Sequence, residues 1–89
     1  MKSAFNHKKY TNEQQVLEII EGIFREIFDD PHLSITMSTT NKDLEAWDSY
    51  QHILILAAVE EHFGVRLDLI DAERYLCISE LVHSLLSLL

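Results

Sequence analysis

The fold turns on the stretch Asp48-Ser49-Tyr50-Gln51-His52-Ile53-Leu54-Ile55-Leu56-Ala57-Ala58-Val59-Glu60-Glu61-His62-Phe63-Gly64. His52, Ile55, Leu56, Val59 and Phe63 recur at helical spacing and line one face of an amphipathic helix. Asp48 or Ser49 caps its start, Gln51 follows Asp48 by three positions in the capping-box manner, and Gly64 closes the helix in left-handed geometry. Leu54, Ala57, Glu60 and Glu61 fall on the face turned away from that stripe. Ser49 therefore stands at the mouth of a helix, directly behind an aspartate. No histidine base with its orienting acid is arranged around it, so it is better suited to being modified by another protein than to attacking a substrate.

Upstream, Thr11-Asn12-Glu13-Gln14 reads as a capping box that opens an earlier helix. Val16, Leu17, Ile20, Ile23, Phe24 and Ile27 form its apolar stripe, with Glu18, Glu21, Arg25 and Glu26 mostly between them. Pro31 disfavours helical geometry in the residue before it, so this helix ends near Asp29-Asp30. Residues 32–46 read as a long loop pinned by Leu33, Ile35, Met37 and Leu44. Downstream, a short helical turn is expected around 70–75 and a last helix over about 78–89, with Leu81, Val82, Leu85 and Leu89 inward.

Eighty-nine residues suit one small domain, and two glycines with one proline leave few of the turn formers that a sheet-rich fold requires. Cys77 is the only cysteine, so neither a disulfide framework nor a paired metal spacing exists within the chain, and a reducing cytoplasm is the expected compartment. Residues 1–10 are polar and carry Lys2, Lys8 and Lys9, which argues against a signal peptide or membrane span and reads as a mobile tail before a domain over 11–89. All fifteen acidic residues follow that tail, where only Arg25, Lys42, Arg66 and Arg74 are positive, a net of −11. Nucleic acid is excluded as a partner on this charge, and proteins with basic docking patches are favoured.

The pattern Trp47-Asp48-Ser49-x-x-His52, followed by Glu60-Glu61-His62-Phe63-Gly64-Val65, resembles the acyl carrier proteins over residues 11–89. The Trp-Asp-Ser form is similar to a freestanding subgroup that works beside separate activating enzymes. The resemblance implies an all-α, antiparallel four-helix bundle of three longer helices and one short one. It also implies that Ser49 carries 4'-phosphopantetheine, taken from coenzyme A, through a phosphodiester, and holds an acyl or aminoacyl group as a thioester on that arm. Asp48 would assist the phosphopantetheinyl transferase, helping to hold its magnesium ion. The other implied partners are an adenylating acyl or aminoacyl ligase and a downstream synthase or acyltransferase. The family has leucine after the serine where this chain has Tyr50, a position that touches visiting enzymes. Tyr50, Leu54, Ala57, Glu60 and Glu61 are the expected docking residues, on a non-catalytic, monomeric shuttle without a metal site of its own.

Plainer readings apply to several residues. A Ser49–His52 dyad lacks both an orienting acid and an oxyanion loop, and the His52 stripe leads into the core. His7, His32, His62 and His83 lack ligand spacing. Trp47 reads as a hydrophobic staple that packs the loop onto the bundle, and Cys77 as a small packing residue. The alternative function is an acidic helical adaptor that binds a partner without any cofactor.

Overall fold

The structure is a computed structural model that describes residues 12–89. The tail 1–10 and Thr11 lie outside the described residues. Among the described residues four helical elements follow one another: α1 over Glu13–Ile27, α2 over Ser49–Phe63, a 3-10 segment over Leu69–Leu76 and α3 over Ile78–Leu88. No strand occurs among the described residues; a single isolated bridge joins Thr40 to Cys77.

The start of α1 differs from the expected capping box. Asn12 is the cap, its side-chain oxygen accepting the Gln15 N–H at 2.9 Å, and Gln14 donates to Glu18 one turn on. Val16, Ile20 and Phe24 are buried, with Leu17, Ile23 and Ile27 half-buried against the same core. The helix ends in a Schellman motif before Pro31. Asp29 takes the left-handed φ of 53°, and the Asp29 and Asp30 amides bond back to the Glu26 and Arg25 carbonyls.

The long loop is held by more than its apolar side chains. Ile35 is buried and Leu33, Met37 and Leu44 are half-buried, as the sequence suggests. In addition, Arg25 Nε donates to the Leu33 carbonyl at 2.7 Å, Glu21 accepts the Ile35 N–H at 3.0 Å, and these two side chains pair at 3.3 Å. The far end of the loop is tied to the entry of α3 by Ile78 N–H to Thr39 O and Asn41 N–H to Leu76 O.

The buried residues of α2 are His52, Ile55, Leu56, Val59 and Phe63, the face read from its spacing, and Gly64 closes the helix at φ 68°. α1 packs against both α2 and α3. The 3-10 segment is longer than the expected turn, is kinked at Asp71, and packs on α3, meeting α2 through the Ala72 carbonyl and His52. In α3, Ile78 joins Leu81, Val82 and Leu85 in the core, and Leu89 at the end is half-buried.

Candidate functional site

Asp48 is the N-cap of α2: its backbone is extended and its Oδ1 accepts the Gln51 N–H at 2.9 Å. Ser49 is therefore the first helical residue rather than the cap. It is exposed, and its hydroxyl has no hydrogen-bond partner among the described residues. The reciprocal half of the capping box is missing. The Asp48 N–H goes to the Ala46 carbonyl, and Gln51 Oε1 is buried with no partner among the described residues. No acidic residue occupies the first turn of α2, so its free N–H groups and positive dipole end face Ser49, with Asp48 beside it and Glu73 on the same cleft.

Behind Ser49 the staple closes through a hydrogen bond. Trp47 is buried, stands edge-on to Phe24 with ring centroids 4.9 Å apart, and donates its indole N–H to His52 Nδ1 at 3.0 Å. Nδ1 must then be the unprotonated nitrogen, so Nε2 carries the hydrogen and donates to the Ala72 carbonyl at 2.8 Å. His52 is 6% exposed. Both ring nitrogens are engaged, which leaves neither to take a proton from Ser49.

Two clefts lie along the seam between α2 and the 3-10 segment. One of about 380 Å³ is bordered by Ser49, Asp48, Trp47 and Asn41, and the other, of about 270 Å³, by Leu56, Ala57, Glu60 and Leu69. His52, Ile53 and Ala72 line both.

The residues expected to dock partners divide in two. Tyr50, Leu54, Ala57 and Glu61 are exposed, Tyr50 at 66%. Glu60 is half-buried instead, because its Oε2 accepts the Leu67 N–H at 2.7 Å and so fixes the turn after α2. The sequence reading missed Ile53, Leu69 and Ile70, all exposed and Ile70 at 94%. The available signals were that α2 is apolar on nearly all sides, and that Leu69-Ile70 is an apolar pair between Asp68 and Asp71. With Tyr50 and Leu54 they make up most of the exposed large apolar residues of the described chain.

Elsewhere, Cys77 is half-buried at the cap position of α3. The Ser79 hydroxyl, 3.2 Å from its sulfur, holds the thiol below its ordinary pKa, aided by backbone N–H groups and opposed by burial. Among the described residues no group of three or more His, Cys, Asp or Glu comes together as metal ligands, and no helix is long and apolar enough to cross a membrane. His83 meets Glu13 at 2.6 Å. No family model matches the chain, and neither a curated protein nor a solved structure was found to be similar to it.

Proposed function

We propose that this protein is an acyl or aminoacyl carrier whose Ser49 bears 4'-phosphopantetheine. The observation that carries the reading is Ser49 itself: an exposed hydroxyl, without a partner among the described residues, on the first residue of a helix whose first turn holds no acid. A phosphodiester there gains from the orphan amides and the helix dipole, and nothing in the first turn repels it. Asp48 spends one oxygen on Gln51. Its other oxygen is available to the transferase's magnesium ion, which prefers carboxylate and phosphate ligands.

In this reading the elements form the antiparallel bundle of the acyl carrier proteins. The contact between Phe24, near the end of α1, and Trp47, at the entry of α2, supports opposite directions for those two helices. The exposed side of α2 and the tip of the 3-10 segment receive the visiting enzymes: the transferase, an adenylating ligase, and a downstream synthase or acyltransferase. The domain acts as a cytoplasmic monomer that performs no chemistry of its own. Its cargo is a small acyl or aminoacyl group, with type II fatty acid synthesis the other pathway that the resemblance admits.

One observation favours a second reading: the exposed apolar face of α2 and the 3-10 tip also suits an adaptor that needs no cofactor. Intact-mass measurement separates the two. Incubation with coenzyme A, magnesium and a broad-specificity phosphopantetheinyl transferase is expected to add one cofactor mass, mapped to the peptide containing Ser49. No mass gain overturns the carrier reading in favour of the adaptor, and a gain on another residue overturns Ser49 as the attachment site.

A further inference from the structure

We infer that residues 1–10 fold back over the domain as a strap, seating Phe5 in the smaller of the two clefts beside α2. This goes beyond the carrier reading and does not depend on it. The cleft is lined by Ile53, Leu56, Ala57, Leu69 and Glu60 and has a volume of about 270 Å³. Ile53 and Leu69 are 66% and 56% exposed, so its mouth is apolar and open to solvent. A cavity of about 150 Å³ already accepts benzene, which leaves room here for a phenyl ring.

Charge selects the occupant. Over residues 60–74, Glu60, Glu61, Asp68, Asp71 and Glu73 stand against Arg66 and Arg74, five acids to two cations, a net of −3. Residues 1–10 carry Lys2, Lys8 and Lys9 and no acid, a net of +3, and Phe5 lies between those cations. Every acid of the chain lies beyond this segment. A second copy of the folded domain can offer only a face of the same sign as the cleft, whereas the segment brings opposite charge and an aromatic ring together. Being tethered, it also acts at an effective concentration on the order of mM.

The segment enters the domain at the right level. Phe24 stands against Trp47, and with α1 and α2 running oppositely, as proposed above, the rise of about 17 Å from Phe24 back to Glu13 ends level with Ala57 to Glu60. Those residues line the cleft. Passing half-way round a helix of about 10–12 Å diameter takes about 16–19 Å, and the stretch from Phe5 to Asn12 spans up to about 23 Å when extended. Lys8 and Lys9, between Phe5 and α1, then fall toward Glu61 and Asp68. A partner that approaches this face must displace the strap, its basic groups competing for the same carboxylates and its apolar groups for the cleft.

The full chain, labelled with carbon-13 at its Ile and Leu methyl groups, is tested by nuclear Overhauser contacts to the Phe5 ring. Contacts to the methyls of Ile53, Leu56 and Leu69 are expected, and Phe5→Ala should shift those methyl signals while leaving Ile20 and Leu85 in place. Lys8→Glu combined with Lys9→Glu takes the segment from a net of +3 to −1 and should abolish the ring contacts, with circular dichroism unchanged. A mixture of labelled and unlabelled chains separates a strap from a tail shared between copies. Contacts that arise between copies assign the cleft to a second copy and overturn the inference. So does a Phe5 ring that makes no contact with these methyls, that contacts the domain elsewhere, or that keeps its contacts after charge reversal. The protein is used without any cofactor, so failure of the strap leaves the carrier reading standing, and failure of Ser49 to accept an arm leaves the strap standing.

Discussion

Trp47→Phe tests how far the staple behind Ser49 stabilises the fold. The substitution removes the indole N–H that reaches His52 Nδ1 at 3.0 Å, in a side chain only 6% exposed. The imidazole cannot recover by switching its hydrogen to Nδ1, because Nε2 would then lose its bond to Ala72. One buried polar group is left unpaired either way, at about 1–3 kcal/mol. Full truncation of a core aromatic costs about 3–5 kcal/mol, and the phenyl ring keeps most of that packing, so the contact with Phe24 loses about 1 kcal/mol. The expected loss is about 2–4 kcal/mol, a large share of the roughly 4–13 kcal/mol that a chain of 89 residues has in total.

Urea unfolding followed by far-ultraviolet circular dichroism measures this, since the only tryptophan is the one removed. With a slope of about 2 kcal/mol/M, the midpoint should fall by about 1–2 M. His52→Leu completes a double-mutant cycle in which a coupling of about 1–2 kcal/mol is expected from the shared bond. A loss under about 0.5 kcal/mol for Trp47→Phe, or strict additivity in the cycle, would refute the claim that this hydrogen bond carries weight.

Ser49→Ala should abolish gain of the cofactor mass while moving the melting midpoint by less than the equivalent of about 0.5 kcal/mol, because Asp48 supplies the cap; attachment that survives in this variant would disprove the site. Asp29→Gly should stabilise the domain by about 0.5–1 kcal/mol in urea, since the residue sits at φ 53° where a side chain is strained, and a loss of stability would show that the aspartate side chain does more than tolerate the turn. Glu61→Lys should slow ligase loading at low salt and lose that effect at high salt, with the fold unchanged. Glu60→Lys should instead lower stability by about 1.5–3 kcal/mol through the Leu67 N–H, so equal folding stability of the two variants would count against the structure. The Cys77 thiol is depressed chiefly by Ser79, so its thiolate contributes stability above the unfolded pKa that disappears as pH falls through the folded one. Ser79→Ala should therefore shift the pH midpoint of iodoacetamide alkylation upward, and no shift would remove Ser79 as the cause.

The helices were legible because their signals are local. The buried face of α2 and its Gly64 stop follow from spacing and from the conformational freedom of glycine alone. Less could be read where a polar side chain acts across the chain. Glu21 and Arg25 look like the solvated flank of an amphipathic helix, yet they grip the backbone at Ile35 and Leu33, and Glu60 looks like a docking charge but holds Leu67. No periodicity encodes such contacts, since each depends on where a loop returns. At the site, Asp48 and Ser49 were legible as a motif and as a helix start. Which of the two caps was left open by sequence, and only backbone geometry assigns Asp48 to the cap and Ser49 to the free first position. Ile53 and Ile70 were missed because an apolar residue is by default assigned to the core, and in α2 the core has too little room for every apolar side it offers.

That surplus also explains the charge. A small domain that leaves Tyr50, Ile53 and Leu54 exposed on α2, and Leu69 and Ile70 exposed on the 3-10 segment, invites its own copies to associate through them. The counterweight is a net of −11 beyond the tail, with Asp68 exposed at the cap of the 3-10 segment, Asp71 and Glu73 exposed within it and Glu61 exposed on α2. Two copies meeting face to face would bring these carboxylates together, with Arg74, already paired with Asp71 at 3.4 Å, the one cation on the 3-10 segment to offset them. A partner with a basic rim would meet the same surface with the opposite sign, and would be admitted where a second copy is repelled. The acidity and the exposed apolar face are therefore one device, in which charge decides what the apolar surface is allowed to touch. Added salt should weaken that discrimination, bringing self-association of the isolated domain and slower partner encounter together.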